Sequence, residues 1–366
     1  MVKVKLGDIC NPKQWRTLAT SELKTNGKYS VYGANGVIGY YDDYNHEKET
    51  VLITCRGATC GNVHISKEKS YINGNAMAMD NLNEKICLKE YLYYFLKQYD
   101  MKKVISGSAQ PQITVQNIKK INIAIVGMDT QIKIIKNLNK IQEIIDIRKK
   151  QIGKLDELIK SQFVEMFGNK EFPYVEFKEY MERCVDIGSN GANSVVMEHY
   201  NMTDTKDYAM VVRFTNLNSG DFVNDVKYIN KEDYEFYSKS KVYGDEIIFC
   251  KIGSAGMNYI MPKLNMPVTL GLNQIMITPK NINTRYLYEY INSNEGKKYI
   301  KNNINGAVTK TITKHALWVF PIKTPPIELQ NRFDQIVELI DKQKFEIQKN
   351  LEEMQNLQES LMNKYF

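Results

Sequence analysis

The chain lacks the features that mark several large protein classes. No run of about eighteen or more apolar residues occurs in it, so no segment reads as a membrane span. The opening MVKVKLGDIC carries charge and polar turn residues, and it is not expected to act as a signal peptide. Cysteine is sparse and unpatterned. Cys10, Cys55, Cys60, Cys87, Cys184 and Cys250 include no C-x-x-C pair, and with no export signal they read as reduced, mostly buried thiols. The histidines His46, His64, His199 and His315 lie far apart, none at i, i+4 spacing, so no metal site is expected and His64 and His315 read as ordinary core or surface residues. A glycine loop, CRGATCGN at 55–62, follows the apolar run TVLIT. Gly57 and Gly61 stand too close together for a P-loop and no lysine follows the second, so spacing excludes a phosphate cradle.

What is present is ordinary in bulk and unusual in order. The 366 residues suggest at least two domains, and with 43% apolar and 25% charged residues they can bury real cores. A net charge of +7 permits a polyanionic partner without requiring one. The 24 tyrosines are weak evidence of nucleic-acid contact, because Lys, Asn, Ile and Tyr are abundant together.

The chain repeats itself. TVLITCRGATCGNVHI at 50–65 returns as EIIFCKIGSAGMNYIM at 246–261, and INGNAMAM at 72–79 as LGLNQIMI at 270–277. The stretch 90–126 returns at 285–322. Gly306, Thr313, Gln330 and Phe366 each sit 199 residues after Gly107, Thr114, Gln131 and Phe167. A period that long is a duplicated domain with its tail, not a solenoid. The glycine loop is then a recurrent strand–turn–strand element with glycines supplying positive φ; direct contact of the loop with a ligand stays open.

Each copy ends in a long helical pattern. From Asp129 to Phe167 there is no proline, and apolar residues fall at Leu138, Ile141, Ile145, Ile152, Leu155, Ile159 and Met166, with Arg148 and Gln162 as polar members. After Pro325-Pro326 the same alternation runs through Val337, Ile340, Ile347, Leu351, Met354 and Leu361, with Lys344 and Gln358 as exceptions. A helix over 129–167 would be roughly 58 Å long and would leave its stripe wet if alone. Pairing the two helices antiparallel, as spacers between two heads, is the economical solution. The alternative is that each packs back on its own head.

Head, long helix, head, long helix resembles the specificity subunit of a type I restriction–modification system. The carriers are VYGANGVIGYYDDY at 31–44, CRGATCGN, GSAQPQIT at 107–114, YGDEIIFCKIGSAG at 243–256 and FPIKTPPIELQ at 320–330. The resemblance implies an α+β fold: two tandem-duplicated β-rich target-recognition domains, 1–126 and 169–322, joined by two long helices, 127–168 and 323–366, that form an antiparallel coiled coil. It implies that each head reads one half of a split double-stranded DNA target, and that the helices dock two adenine-N6 methyltransferase subunits, which bind S-adenosylmethionine themselves. A translocase–nuclease subunit can join such a complex. A cytoplasmic setting with no membrane partner follows. The second turn, KIGSAGMN, departs from the first, which suggests different half-sites. No Asn-Pro-Pro-aromatic motif, no S-adenosylmethionine fingerprint and no nuclease-like carboxylate pair with a lysine stands out, so no catalytic residue is assigned.

DNA readers need phosphate anchors and base-edge groups: Lys and Arg for the first, Arg for guanine and Asn or Gln for adenine. Loops on a rigid scaffold are where such groups concentrate. The candidates are Lys28, Tyr29, Asn35, Arg56, Gln110 and Gln112 in the first copy, and Asn190, Asn193, Arg213, Lys251, Thr309 and Lys310 in the second. Arg56 and Lys251 are expected at the same place of the duplicated turn. A second reading is an adaptor that holds proteins only. Salt-sensitive DNA binding would separate the two.

Overall fold

The computed structural model describes residues 2–34, 36–107, 110–168 and 170–366. They form two compact units: 1–152 with 346–366, and 153–345.

In the first unit the run Val51–Thr54 is buried at all four positions, as a strand covered on both faces must be. It sits between Ala76–Asp80 and Val63–Ile65, with Asn11–Gln14 at the far edge, all antiparallel. A second sheet joins the hairpin Tyr29–Gly33 and Gly36–Tyr41 to Tyr71–Ile72, the last pair running parallel. The helix Lys89–Gln98 sends Tyr91, Leu92 and Phe95 into the core, and the Tyr91 hydroxyl donates to the Ala124 carbonyl at 2.8 Å.

The second unit repeats the plan. Ile247–Cys250 is again wholly buried between Gln274–Pro279 and Asn258–Ile260, with Met181–Val185 beyond. Ala209–Val212 again pairs parallel with Val268–Leu270. Tyr286 plays the part of Tyr91, donating to the Lys323 carbonyl at 3.0 Å. One difference is large. The first head's hairpin strands, Tyr29–Gly33 and Gly36–Tyr41, lie close together in the chain, whereas residues 213–226, with the helix Phe214–Ser219, separate the matching strands of the second.

The long helices run Met128–Phe163, continued by a π-helical turn Val164–Gly168, and Ile327–Tyr365. Each is tied to its own head by a buried glutamine. Gln131 accepts from the Leu88 N–H at 2.9 Å and donates to the Ile86 and Val126 carbonyls. Gln330 accepts from the Asn283 N–H at 2.9 Å and donates to the Pro325 carbonyl. Within the first unit the helices pair antiparallel: Ile141 and Ile145 cluster with Leu351, and Gln358 donates to Gln142 at 3.0 Å. Within the second they do the same, with Lys344 bonded to Asp156 and the Phe163 and Phe333 rings 5.6 Å apart.

The ends of the expected seam belong to the heads. Leu138 lies in the first head's core together with Met362, and Ile159, Val337 and Ile340 lie in the second's. Ile152, Leu155, Ile347, Met354 and Leu361 are half-buried. Pairing and packing back, set out as alternatives, therefore occur together. Of the polar seam positions, Lys344 and Gln358 find partners on the other helix, while Arg148 bonds Gln151 on its own. No helix among the described residues is long and apolar enough to cross a membrane.

Candidate nucleic-acid interface

The glycine turn spends its amides on itself and on a neighbouring loop. The Gly57 N–H donates to the Pro111 carbonyl at 3.3 Å, Cys60 to Gly57 at 3.0 Å and Gly61 to Thr54 at 2.8 Å. Gly57 and Gly61 both have left-handed φ, +89° and +100°, as do Gly253 and Gly256 in the second copy, +88° and +86°. The second glycine of each pair also makes room. A Cβ on Gly61 would stand 3.0 Å from Met101 Cβ, and one on Gly256 would overlap Ile300 Cγ2. The turn is thus a tight reversal pressed against the helical segment behind it.

Its other side meets the loop that begins at Gly107 or Gly306. The same backbone bonds form twice. Ile113 N–H reaches the Cys55 carbonyl at 3.0 Å as Ile312 reaches Lys251 at 3.0 Å, and Gly57 reaches Pro111 as Gly253 reaches Lys310 at 3.0 Å. Arg56 bridges Gln112 as Ile252 bridges Thr311. In the first head the Thr54 hydroxyl donates to the Ala34 carbonyl at 2.7 Å, which brings the hairpin end to the same place. Backbone around Ala34, 55–61 and 111–113 converges there.

This junction gathers some of the expected residues and not others. Arg56, Gln110 and Gln112 come together and are exposed; Thr309 and Lys310 are exposed on the matching loop. Lys28 and Tyr29 sit at the opposite end of the hairpin strand from Ala34, with Tyr29 edge-on to Tyr44 at 4.9 Å. Asn35 lies outside the described residues. Asn193 is exposed at the start of a short helix, Asn193–Glu198.

Three candidates of the second head are engaged internally. Asn190 donates to the Ile187 carbonyl and Ser240 hydroxyl, each at 2.9 Å, and accepts from the Lys239 N–H at 3.0 Å, which uses its amide to clamp a loop. Arg213 holds the carbonyl of Asp225 and its carboxylate at 3.2 Å. Lys251 binds Asp186 at 2.8 Å. Lys251 also does not match Arg56. The second turn, 251–256, is one residue shorter than 55–61, and by backbone bonding Lys251 stands where Cys55 does and Ile252 where Arg56 does.

Asp186 was not singled out by the sequence. Lys13 faces Ala78 as Val185 faces Met276, so Gln14 and Asp186 occupy matching places. In the first head Gln14 donates to the Cys55 sulfur at 2.9 Å, a neutral contact. In the second, Asp186 takes both Lys251 and Lys314, the latter at 3.0 Å. Burial alone would push its carboxyl up; the two ammonium hydrogen bonds outweigh that and bring it down to about 2. Burial pushes the Cys10 and Cys87 thiols the other way, to about 12. Half-buried His64 leaves its Nε2 without a hydrogen bond among the described residues, and desolvation with the nearby Lys97 charge lowers its pKa.

The duplicated heads, each with a loop junction, and the paired helices have counterparts elsewhere. The chain resembles the crystal structure of a type I restriction–modification system S subunit from M. genitalium, with a TM-score of 0.60 at 16% identity, over 100% of this chain and 96% of that one. It is 25% identical over 343 residues to the MjaIX type I restriction enzyme specificity subunit of Methanocaldococcus jannaschii, covering 87% of this chain and 76% of the relative. Over 180 residues it is 28% identical to a Mycoplasma pneumoniae protein carrying the name of a type I specificity subunit. That alignment takes in 48% of this chain and little more than half, 58%, of the relative. A model of the type I restriction modification DNA specificity domain matches residues 1–157 and 196–355, one stretch for each head with its helix. A fold built twice around one loop junction, matched by that model in both copies, places the chain in the family of type I restriction modification DNA specificity domains.

Proposed function

We propose that the chain is the sequence-reading subunit of a type I restriction–modification complex. Each head recognises one half of a bipartite, asymmetric double-stranded DNA target, and the paired helices dock two adenine-N6 methyltransferase subunits. The methyl donor, S-adenosylmethionine, is bound by those partners, and this chain contributes recognition without catalysis. A translocase–nuclease subunit is compatible with the same scaffold. The observation that carries the reading is the junction itself. The same backbone bonds build it in both heads, yet it presents Arg56, Gln110 and Gln112 in one and Thr309 and Lys310 in the other. A shared frame with different exposed side chains is what two readers of different half-sites require.

The test is methylation-aware sequencing of host DNA with and without the gene, joined to binding by the assembled complex at rising salt. A bipartite adenine-methylated motif that vanishes with the gene, and an affinity that falls steeply with salt through counterion release, are expected. No motif and no DNA affinity would leave an adaptor that holds proteins only. The purified chain alone is expected to turn over no S-adenosylmethionine.

A further inference from the structure

Because the junction is built twice from matching backbone bonds, its side chains can be compared place by place. Arg56 and Gln112 form the antiparallel bridge in the first head; Ile252 and Thr311 form it in the second. Residues directly opposite in such a bridge carry their Cβ atoms about 5 Å apart on the same face. Arg56 and Gln112 are both exposed, and neither side chain has an ion pair or hydrogen bond among the described residues. Ile252 and Thr311 are half-buried. The bonds on either side, from Gly57 to Pro111 and from Ile113 to Cys55, fix the backbone of the pair before any ligand arrives. That spares the ordering cost of a loose loop.

The chemistry of the two pairs is opposite. An arginine fork matches guanine O6 and N7, and a glutamine amide matches adenine N6 and N7. An isoleucine–threonine pair offers methyl groups, whose counterpart on the major-groove edge is the thymine methyl. Lysines, which act on phosphate as point charges, are absent from the bridge in both heads; Lys310 stands beside it, at the place of Pro111.

We propose that this cross-loop pair is a base-reading element that makes the two half-sites different. Arg56 and Gln112 select a guanine with a neighbouring adenine in the first half-site, where Ile252 and Thr311 select thymine in the second. This rests on the DNA-reading function proposed above and adds base identity to it.

The test uses the full chain with its methyltransferase subunits, reading the methylated motif of the wild type and of Arg56→Ile, Arg56→Lys and Gln112→Thr. A wild type with no bipartite motif would defeat the DNA-reading function rather than this assignment. Given a motif, one arm should hold adjacent guanine and adenine. Arg56→Ile, which installs the residue the second head carries at this place, should relax the guanine by roughly ten- to a hundredfold in discrimination and leave the other arm unchanged. Gln112→Thr should relax the adenine in the same arm. Arg56→Lys keeps the charge without the fork and should also relax the guanine; it decides the matter if the isoleucine variant does not assemble. Weaker binding with an unaltered motif would make Arg56 a phosphate contact and overturn the proposal, as would an unaltered motif at unaltered affinity or a change confined to the other arm.

Discussion

Residues 1–168 and 169–366 each hold one head and one long helix, so each half could pair with a copy of itself. The cross-helix contacts predict that the two halves do so unequally. Lys344 sits 199 residues after Ile145, and Gln358 sits 199 after Ile159. In a symmetric pair of first halves, Asp156 would face Ile145 instead of Lys344, and Gln142 would face Ile159 instead of Gln358. The lost ion pair is partly exposed, 29% and 48% for its two side chains, and is worth ~0.2–1 kcal/mol. The lost amide pair is worth ~0.5–1.5 kcal/mol. Together that is about 0.7–2.5 kcal/mol, or roughly three- to seventyfold in association. In a pair of second halves the same places bring Lys344 to Gln355 and Gln358 to Asp341, polar against polar. Sedimentation velocity of the two fragments over a concentration series should therefore show tighter self-association for 169–366. Ile145→Lys in 1–168 should recover part of the deficit by supplying Asp156 with its ammonium. Equal or tighter pairing of the unmodified first half, or no response to the lysine, would show that these polar pairs do not set partner choice.

Other consequences follow from single sites. Asp186 has a depressed folded pKa, so its contribution to the second head is present above about pH 4 and lost as pH falls toward about 2; it amounts to about 2 kcal/mol. Asp186→Asn should remove that acid dependence in denaturant titrations at pH 6 and pH 2.5. Gly253→Ala meets only the backbone cost of positive φ, about 1–2 kcal/mol, since a Cβ there has open space. Gly256→Ala adds a collision with Ile300, so its urea midpoint should fall clearly further. Gln131→Ala should leave the Leu88 N–H and the Ile86 and Val126 carbonyls short of a partner and cost on the order of 2–3 kcal/mol, measured by thermal unfolding.

Much of the architecture was legible because duplication leaves a register. The 199-residue offset located Gln131 and Gln330, which each accept from an N–H at a helix start and donate to the carbonyl at 126 or 325, and it paired Phe167 with Phe366. The junction was harder to read. Inside the heads the offset drifts, because one turn is a residue shorter, and Lys251 slides from the place of Arg56 to that of Cys55. Residue type alone cannot say whether a polar side chain is already occupied. Asn190 looks available for a ligand until Ser240 and Lys239, some fifty residues on, take its amide. Asp186 shows the converse: a lone aspartate in sequence becomes an anchor only when the fold sets two lysines beside it, Lys251 just after a strand and Lys314 at the start of a short helix.

The first head does not own all of its core. Met362 is buried among its side chains, with Leu361, Tyr365 and Phe366 packed against it and the Phe366 ring 5.1 Å from Tyr91. On the ribosome these residues appear only after the whole second head has been made. The nascent first head must therefore wait with an open apolar face around Tyr91 and Phe95 while the second is synthesised. A chaperone that covers such a face, or a stalled message that never delivers the closing segment, would act on the head translated first.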